Sequence, residues 1–127
     1  MSDYDWDGSG RSFGRKLDWK GSEFDAEFSQ GSAGISVDEF VEQTGTCPTH
    51  IKIDVDGNET FVLEGSTATL ADPRVKSILI ELFDGHPQYT RCVKLIEDAG
   101  FKLTERVAWA NSVRKNRVTS ENHIFTR

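Results

Sequence analysis

The chain has 127 residues, enough for one domain with a core and too few for two of ordinary size. Its 15 basic and 21 acidic residues give a net charge of −6, which excludes a general nucleic-acid binder, since phosphate contacts need a basic face. A 36% hydrophobic and 28% charged composition excludes a disordered tail, and the apolar stretch around Ile78 to Ile80 falls far short of the roughly 20 residues of a membrane helix.

Met1 is followed by Ser2-Asp3-Tyr4-Asp5, with no basic and then apolar segment that would read as a signal peptide. Cys47 and Cys92 are too few and too far apart for a disulfide scaffold. The reading is therefore a reduced, cytoplasmic setting with no membrane partner.

Residues 1–34 are rich in Gly, Ser and Asp, and turn chemistry recurs at Asp7-Gly8-Ser9-Gly10, Gly21-Ser22 and Gln30-Gly31-Ser32. One short strand is expected there, because Phe24, Ala26 and Phe28 alternate with Glu23, Asp25 and Glu27. From residue 35 the chain reads as ordered elements. Ser36-Val37-Asp38-Glu39 has capping-box spacing and opens a helix that should bury Val37, Phe40 and Val41 and stop at Gly45. Residues 51–55 alternate as a strand.

A second helix is expected from Asn58 or Glu59 towards Leu70, weakened at Gly65 and ended before Pro73. Ser66 and Thr67 are candidate caps for its second part. Residues 75–83 form the most apolar strand, suited to a parallel sheet covered on both faces. Pro87 suits the first turn of the next helix, whose core stripe is Cys92, Leu95, Ile96 and Ala99, with Gly100 as its stop. Residues 101–109 read as a strand, residues 111–121 as a polar loop with Arg114, Lys115 and Arg117, and residues 124–126 as a final strand. Strands alternating with helices imply an α/β fold with a mainly parallel sheet. The last two strands lack a helix between them and should pair antiparallel.

The strand at 51–55 carries an anomaly. Ile51, Ile53 and Val55 share one face, which places Lys52 and Asp54 on the other. Burying these two charges unpaired would cost several kcal/mol each. Either they pair and only satisfy each other, or their face meets solvent or a ligand. Ligands of open α/β sheets bind beyond the carboxyl ends of the strands, where Asp54 and Asp56 lie and Gly57 permits a sharp turn.

Competing motifs fail. Asp54-Val55-Asp56-Gly57-Asn58 imitates the start of a calcium loop, but Glu59 stands where that loop needs glycine and Gly65 where it needs glutamate. Gly8-Ser9-Gly10 lacks the preceding strand and third glycine of a dinucleotide fingerprint. No His, Cys or carboxylate pair has a recognised metal spacing, so no metal is assigned. His50 reads as a polar loop residue, His86 as a helix N-terminal residue, His123 as an edge-strand surface residue and Cys92 as a small core residue.

His50-Ile51-Lys52-Ile53-Asp54-Val55-Asp56-Gly57-Asn58-Glu59 resembles the signature of the FkbM family of S-adenosylmethionine-dependent methyltransferases. Further pieces are similar and collinear: Gln30-Gly31, Ile35 to Phe40, Leu63-Glu64-Gly65, Thr69-Leu70, Val75 to Leu82, Ala99-Gly100-Phe101 and Ile124 to Arg127. The resemblance implies a class I, Rossmann-like methyltransferase sheet, with its strands four to seven at 51–55, 75–83, about 102–109 and about 122–126.

It also implies S-adenosylmethionine as cofactor and a small-molecule or glycan hydroxyl as methyl acceptor. The family's glycine-rich cofactor loop does not occur in this sequence. Residues 35–127 are thus expected to be the C-terminal half of the domain and residues 1–34 a remnant of the connection, with Met1 an internal position of a longer protein or a start codon placed within one, and this fragment alone inactive. By the same resemblance Asp54 and Asp56 are catalytic candidates, Asp54 to orient or deprotonate the acceptor hydroxyl. Gln30, Lys52, Glu59 and Glu81 are pocket candidates, and cofactor-binding residues are unassigned. The alternative is a non-catalytic α/β interaction module that self-associates through an open sheet edge.

Overall fold

The computed structural model describes residues 23, 31, 33–55, 57–108 and 120–127. The strand expected over 24–28, the Gly8-Ser9-Gly10 segment, Gln30, Asp56 and the basic loop over 111–119 lie outside the described residues.

The elements are α1 (Val37–Thr44), β1 (His50–Ile53), α2 (Glu59–Glu64), α3 (Thr67–Ala71), β2 (Ser77–Phe83), α4 (Tyr89–Asp98), β3 (Lys102–Ala108) and β4 (Ser120–Thr126). Together they make a mixed α/β fold around an open four-stranded sheet of order β1-β2-β4-β3. β1 and β2 pair in parallel, while β4 runs antiparallel to both β2 and β3. Three strands therefore share one direction, as a mainly parallel sheet requires. Only one adjacent pairing is parallel, because β4 inserts between β2 and β3.

Local chemistry places the helices. The Ser36 hydroxyl accepts from the Glu39 N–H at 3.1 Å, and the Glu39 carboxylate accepts from the Ser36 N–H at 2.7 Å. Gly45 ends α1 at φ 68°, a left-handed conformation open to glycine. The helix expected between residues 58 and 70 breaks at Gly65 into α2 and α3. Neither Ser66 nor Thr67 caps α3. The Ser66 hydroxyl donates back to the Val62 carbonyl and the Thr67 hydroxyl to the Glu64 carbonyl. The cap arrives from another helix. The Asp38 carboxylate of α1 accepts from the Ala68 N–H at 2.9 Å, the Thr69 N–H at 2.7 Å and the Thr69 hydroxyl at 2.6 Å.

The core forms where the inward faces of β2 and β4 meet the helices: Ile53, Leu63, Leu70, Val75, Ile78, Ile80, Leu82, Cys92, Ile96, Phe101 and Phe125. Cys92 and Ile96 are buried as the α4 stripe requires, with Leu95 and Ala99 packed against the cluster. Burying this set is the main stabilising term, at about 25 cal/mol per Å² of apolar surface.

The structure also corrects four expected placements of side chains. Phe40 is 46% exposed and α1 buries no residue, because the helix docks through Asp38 rather than through an apolar stripe. Val55 is exposed because β1 ends at Ile53, where its register against Ile80 stops. Pro87 lies in the turn ahead of α4, outside its first turn. His123 is fully buried, because β4 is an interior strand and not an edge.

Candidate functional site

The parallel register of β1 against β2 pairs His50 with Ser77, Lys52 with Leu79 and Ile53 with Ile80. Asp54 follows the last residue of β1, and Glu81 follows its partner Ile80 on β2. Alternation keeps His50, Lys52, Asp54, Ser77 and Glu81 on the face opposite Ile53, Ile78 and Ile80. The sequence anomaly is thereby resolved in space. β1 is bonded on one side only among the described residues, and its polar face is open. Lys52 and Asp54 are both exposed and also pair, with Lys52 Nζ donating to Asp54 Oδ2 at 3.0 Å. His50 is the first residue of β1, not a loop residue, and its Nδ1 lies 2.7 Å from the Ser77 hydroxyl.

Asp54 touches two groups. The Lys52 ammonium beside it is the largest influence and holds its carboxyl below the ordinary 3.8. Partial burial opposes that shift, and a hydrogen bond with the Glu81 carboxyl adds to it. Lys52, Asp54 and Glu81 therefore form one charged cluster at the carboxyl ends of two adjacent parallel strands. The sequence marked each of the three separately, and the strand register brings them together. Glu59 opens α2, where its Oε1 accepts from the Gly57 N–H at 3.1 Å and draws the turn after β1 onto the helix start. Asp56 and Gln30 lie outside the described residues.

A cleft lies at the same end of the sheet on its other, helix-bearing face. It is lined by Gly57, Glu59, Phe83, His86, Gln88 and Tyr89, and its interior of about 10 Å³ has room for about one water molecule. Thr60 Oγ1 donates to Gln88 Oε1 at 2.8 Å and lies 3.2 Å from Cys92 Sγ. Burial pushes the Cys92 thiol up from its ordinary value of 9.0, so it stays a neutral core group. His86 stands in the loop ahead of α4 rather than in the helix.

Sequence reasoning missed the pairing of Tyr89 with His123. The Tyr89 hydroxyl lies 3.2 Å from His123 Nε2, the rings meet edge to face at 5.6 Å, and His123 Nδ1 lies 3.0 Å from the Glu121 carbonyl. Two signals pointed there. His123 shares a strand face with Phe125, and Tyr89 precedes Cys92 by one helical step of three.

Among the described residues no group of three His, Cys, Asp or Glu side chains is placed to hold a metal ion. No helix among them is long and apolar enough to cross a membrane. No curated protein matches the sequence. The family model of the methyltransferase FkbM domain matches residues 6–103, which is most of the chain. With that match, and with the signature decapeptide placed across β1 and the turn to α2, the chain belongs to the FkbM methyltransferase family.

Proposed function

We propose that this chain supplies the C-terminal half of an S-adenosylmethionine-dependent methyltransferase domain that methylates a hydroxyl group on a small molecule or glycan. Family membership supports methyl transfer. The sheet supports the Rossmann-like class, because β1, β2, β3 and β4 take the places of strands four to seven and the last strand is antiparallel. The observation that carries the reading is the Lys52, Asp54 and Glu81 cluster at the carboxyl ends of β1 and β2, where open α/β sheets bind ligands.

The described cleft holds about one water, so these residues alone do not enclose S-adenosylmethionine. In this reading its main contacts belong to the glycine-rich half of the fold. The chain's own part is on the acceptor side. Asp54 is held charged by Lys52 and accepts a hydrogen bond from an acceptor hydroxyl, which orients the oxygen. Glu59 shapes the turn that borders the site. Asp56 and Gln30 remain candidates of the same proposal.

The test joins this chain to the cofactor-loop half of an FkbM domain and follows labelled methyl groups from S-adenosylmethionine. Label on hydroxyl oxygens of a polyol or glycan panel is expected. Label on amines or thiols only would overturn the hydroxyl class, and no transfer to any acceptor would overturn the activity.

A second reading rests on β1. It is four residues long, and among the described residues only β2 is bonded to it. An open strand edge is a template for pairing with a second copy of the chain. Light scattering on the isolated chain separates this case: a self-associating species is expected, and a monodisperse monomer counts against it.

A further inference from the structure

His123 is fully buried on β4, and its polar contacts are the Tyr89 hydroxyl and the Glu121 carbonyl. Neither is an anion, which suits the neutral imidazole. A backbone carbonyl only accepts hydrogen bonds. The Nδ1 that lies 3.0 Å from the Glu121 carbonyl therefore carries the proton and donates it. In the neutral ring Nε2 is then an acceptor. The Tyr89 hydroxyl, 3.2 Å from Nε2, is its donor. A phenol has one proton. With that proton committed to His123, the Tyr89 oxygen offers only lone pairs to any other partner.

Tyr89 is half-buried and lines the cleft at the carboxyl ends of β1 and β2, while His123 stands behind it out of solvent. Two further polar side chains of the cleft have fixed partners. Glu59 Oε1 accepts from the Gly57 N–H at 3.1 Å, and a carboxylate is an acceptor only. Gln88 Oε1 takes the Thr60 proton at 2.8 Å, which leaves the Gln88 amide N–H groups as donors. A group that meets acceptors on Tyr89 and Glu59 and a donor on Gln88 must both give and take a hydrogen bond. A hydroxyl does both, and an ether oxygen only accepts. Size makes the same selection. The interior of about 10 Å³ admits about one water molecule, so it admits a hydroxyl and lacks room for an added methyl group.

We propose that this cleft is a subsite for one hydroxyl group of a polyhydroxylated acceptor, a polyol or sugar, and that Tyr89, held as an acceptor by His123, determines its specificity. This deepens the methyl-transfer reading and rests on it for the reaction. The hydroxyl bound here is a second one, distinct from the one that receives the methyl group, because the methyl ether formed would not fit. An acceptor already methylated at this second hydroxyl is refused. Its ether oxygen has no proton for Tyr89, and a site built to bond a hydroxyl discriminates strongly against the analogue that lacks it.

The test is an NMR titration of the full 127-residue chain, followed at the backbone amides of Gly57, Glu59 and Tyr89 and at the His123 ring nitrogens. The probes are glycerol, glucose and myo-inositol, each beside its fully O-methylated counterpart. Saturable shifts at these amides are expected with at least one polyol, and binding at least about tenfold weaker with its methylated counterpart. The His123 spectrum should show a proton on Nδ1 and none on Nε2. Tyr89→Phe keeps the ring, removes the oxygen and should weaken polyol binding about tenfold. The comparison with the ethers uses the parent chain, so it decides the matter even where Tyr89→Phe does not fold.

Methylated probes that bind as tightly as the polyols would overturn the proposal. So would the absence of a saturable shift with every polyol, the opposite His123 tautomer, or a folded Tyr89→Phe chain that binds polyols unchanged. Each of these results leaves methyl transfer to be judged by the labelling assay. A failed labelling assay leaves the hydroxyl subsite standing on the titration.

Discussion

The Arg127 guanidinium lies 4.2 Å over the ring of Phe101 and joins the end of β4 to the start of β3. It also donates to the Asp72 carbonyl at 2.8 Å, the Leu70 carbonyl at 2.6 Å and the Ala99 carbonyl at 2.7 Å. These carbonyls end α3 and α4, where helices leave acceptors unsatisfied and carry partial negative charge. One cation thus ties two helix ends to a core aromatic. Arg127→Ala should cost about 2 kcal/mol, within the range for hydrogen bonds to a charged group. Arg127→Lys should recover only part of that, because an ammonium lacks the planar fork. Urea denaturation of the two variants checks the order.

Asp38 makes the same kind of tie between α1 and α3. Asp38→Ala removes a cap from the α3 start and should cost about 1–2 kcal/mol, read by thermal or urea denaturation. Its pH dependence has a definite sign. Burial pushes the Asp38 carboxyl up, but the bonds from Thr69 and Ala68 outweigh it and leave it below the ordinary 3.8. Asp72 is held lower still, at about 2, first by the Arg74 side chain and then by the Arg74 N–H. Groups depressed on folding stabilise above their unfolded value and lose that contribution as pH falls. Stability should therefore decline from about pH 4 towards pH 2, and Asp38→Asn should flatten the decline.

Gly65 tests the closeness of α1 and α2. A Cβ at that position would stand 3.0 Å from the Ser36 Cβ, while the Asp38 N–H donates to the Gly65 carbonyl at 3.0 Å. The backbone there has a negative φ of −79°, so strain is not the issue. Gly65→Ala should cost about 1 kcal/mol by overpacking, and Gly65→Val more. A Gly65→Ala variant as stable as the parent would show that α1 can move aside.

The buried His123 and the half-buried Tyr89 make a polar pair. Tyr89→Phe removes one bond from His123 and should cost about 1 kcal/mol. His123→Ala also opens a cavity and should cost about 2–4 kcal/mol. Denaturation of both single variants and the double checks this, since residues in contact should not add.

What the sequence revealed follows from how local each signal is. The capping box at Ser36, the stop at Gly45, the break at Gly65 and the α4 stripe depend on neighbours within one or two turns, and all are present. The insertion of β4 between β2 and β3 depends on pairing across most of the chain, and so the burial of His123 is not legible in local spacing. Phe40 and Val55 were placed inward by periodicity, but periodicity does not say whether another element arrives to cover them. Lys52, Asp54 and Glu81 each stood out by residue type. Their contact needed the register of β1 against β2.

In the proposed function this chain carries acceptor-side chemistry while S-adenosylmethionine is held by the other half of the fold. Calorimetric titration of the 127-residue chain with S-adenosylmethionine tests that division directly. No binding in the micromolar range is expected. One-to-one micromolar binding would contradict it and place the cofactor site within these residues.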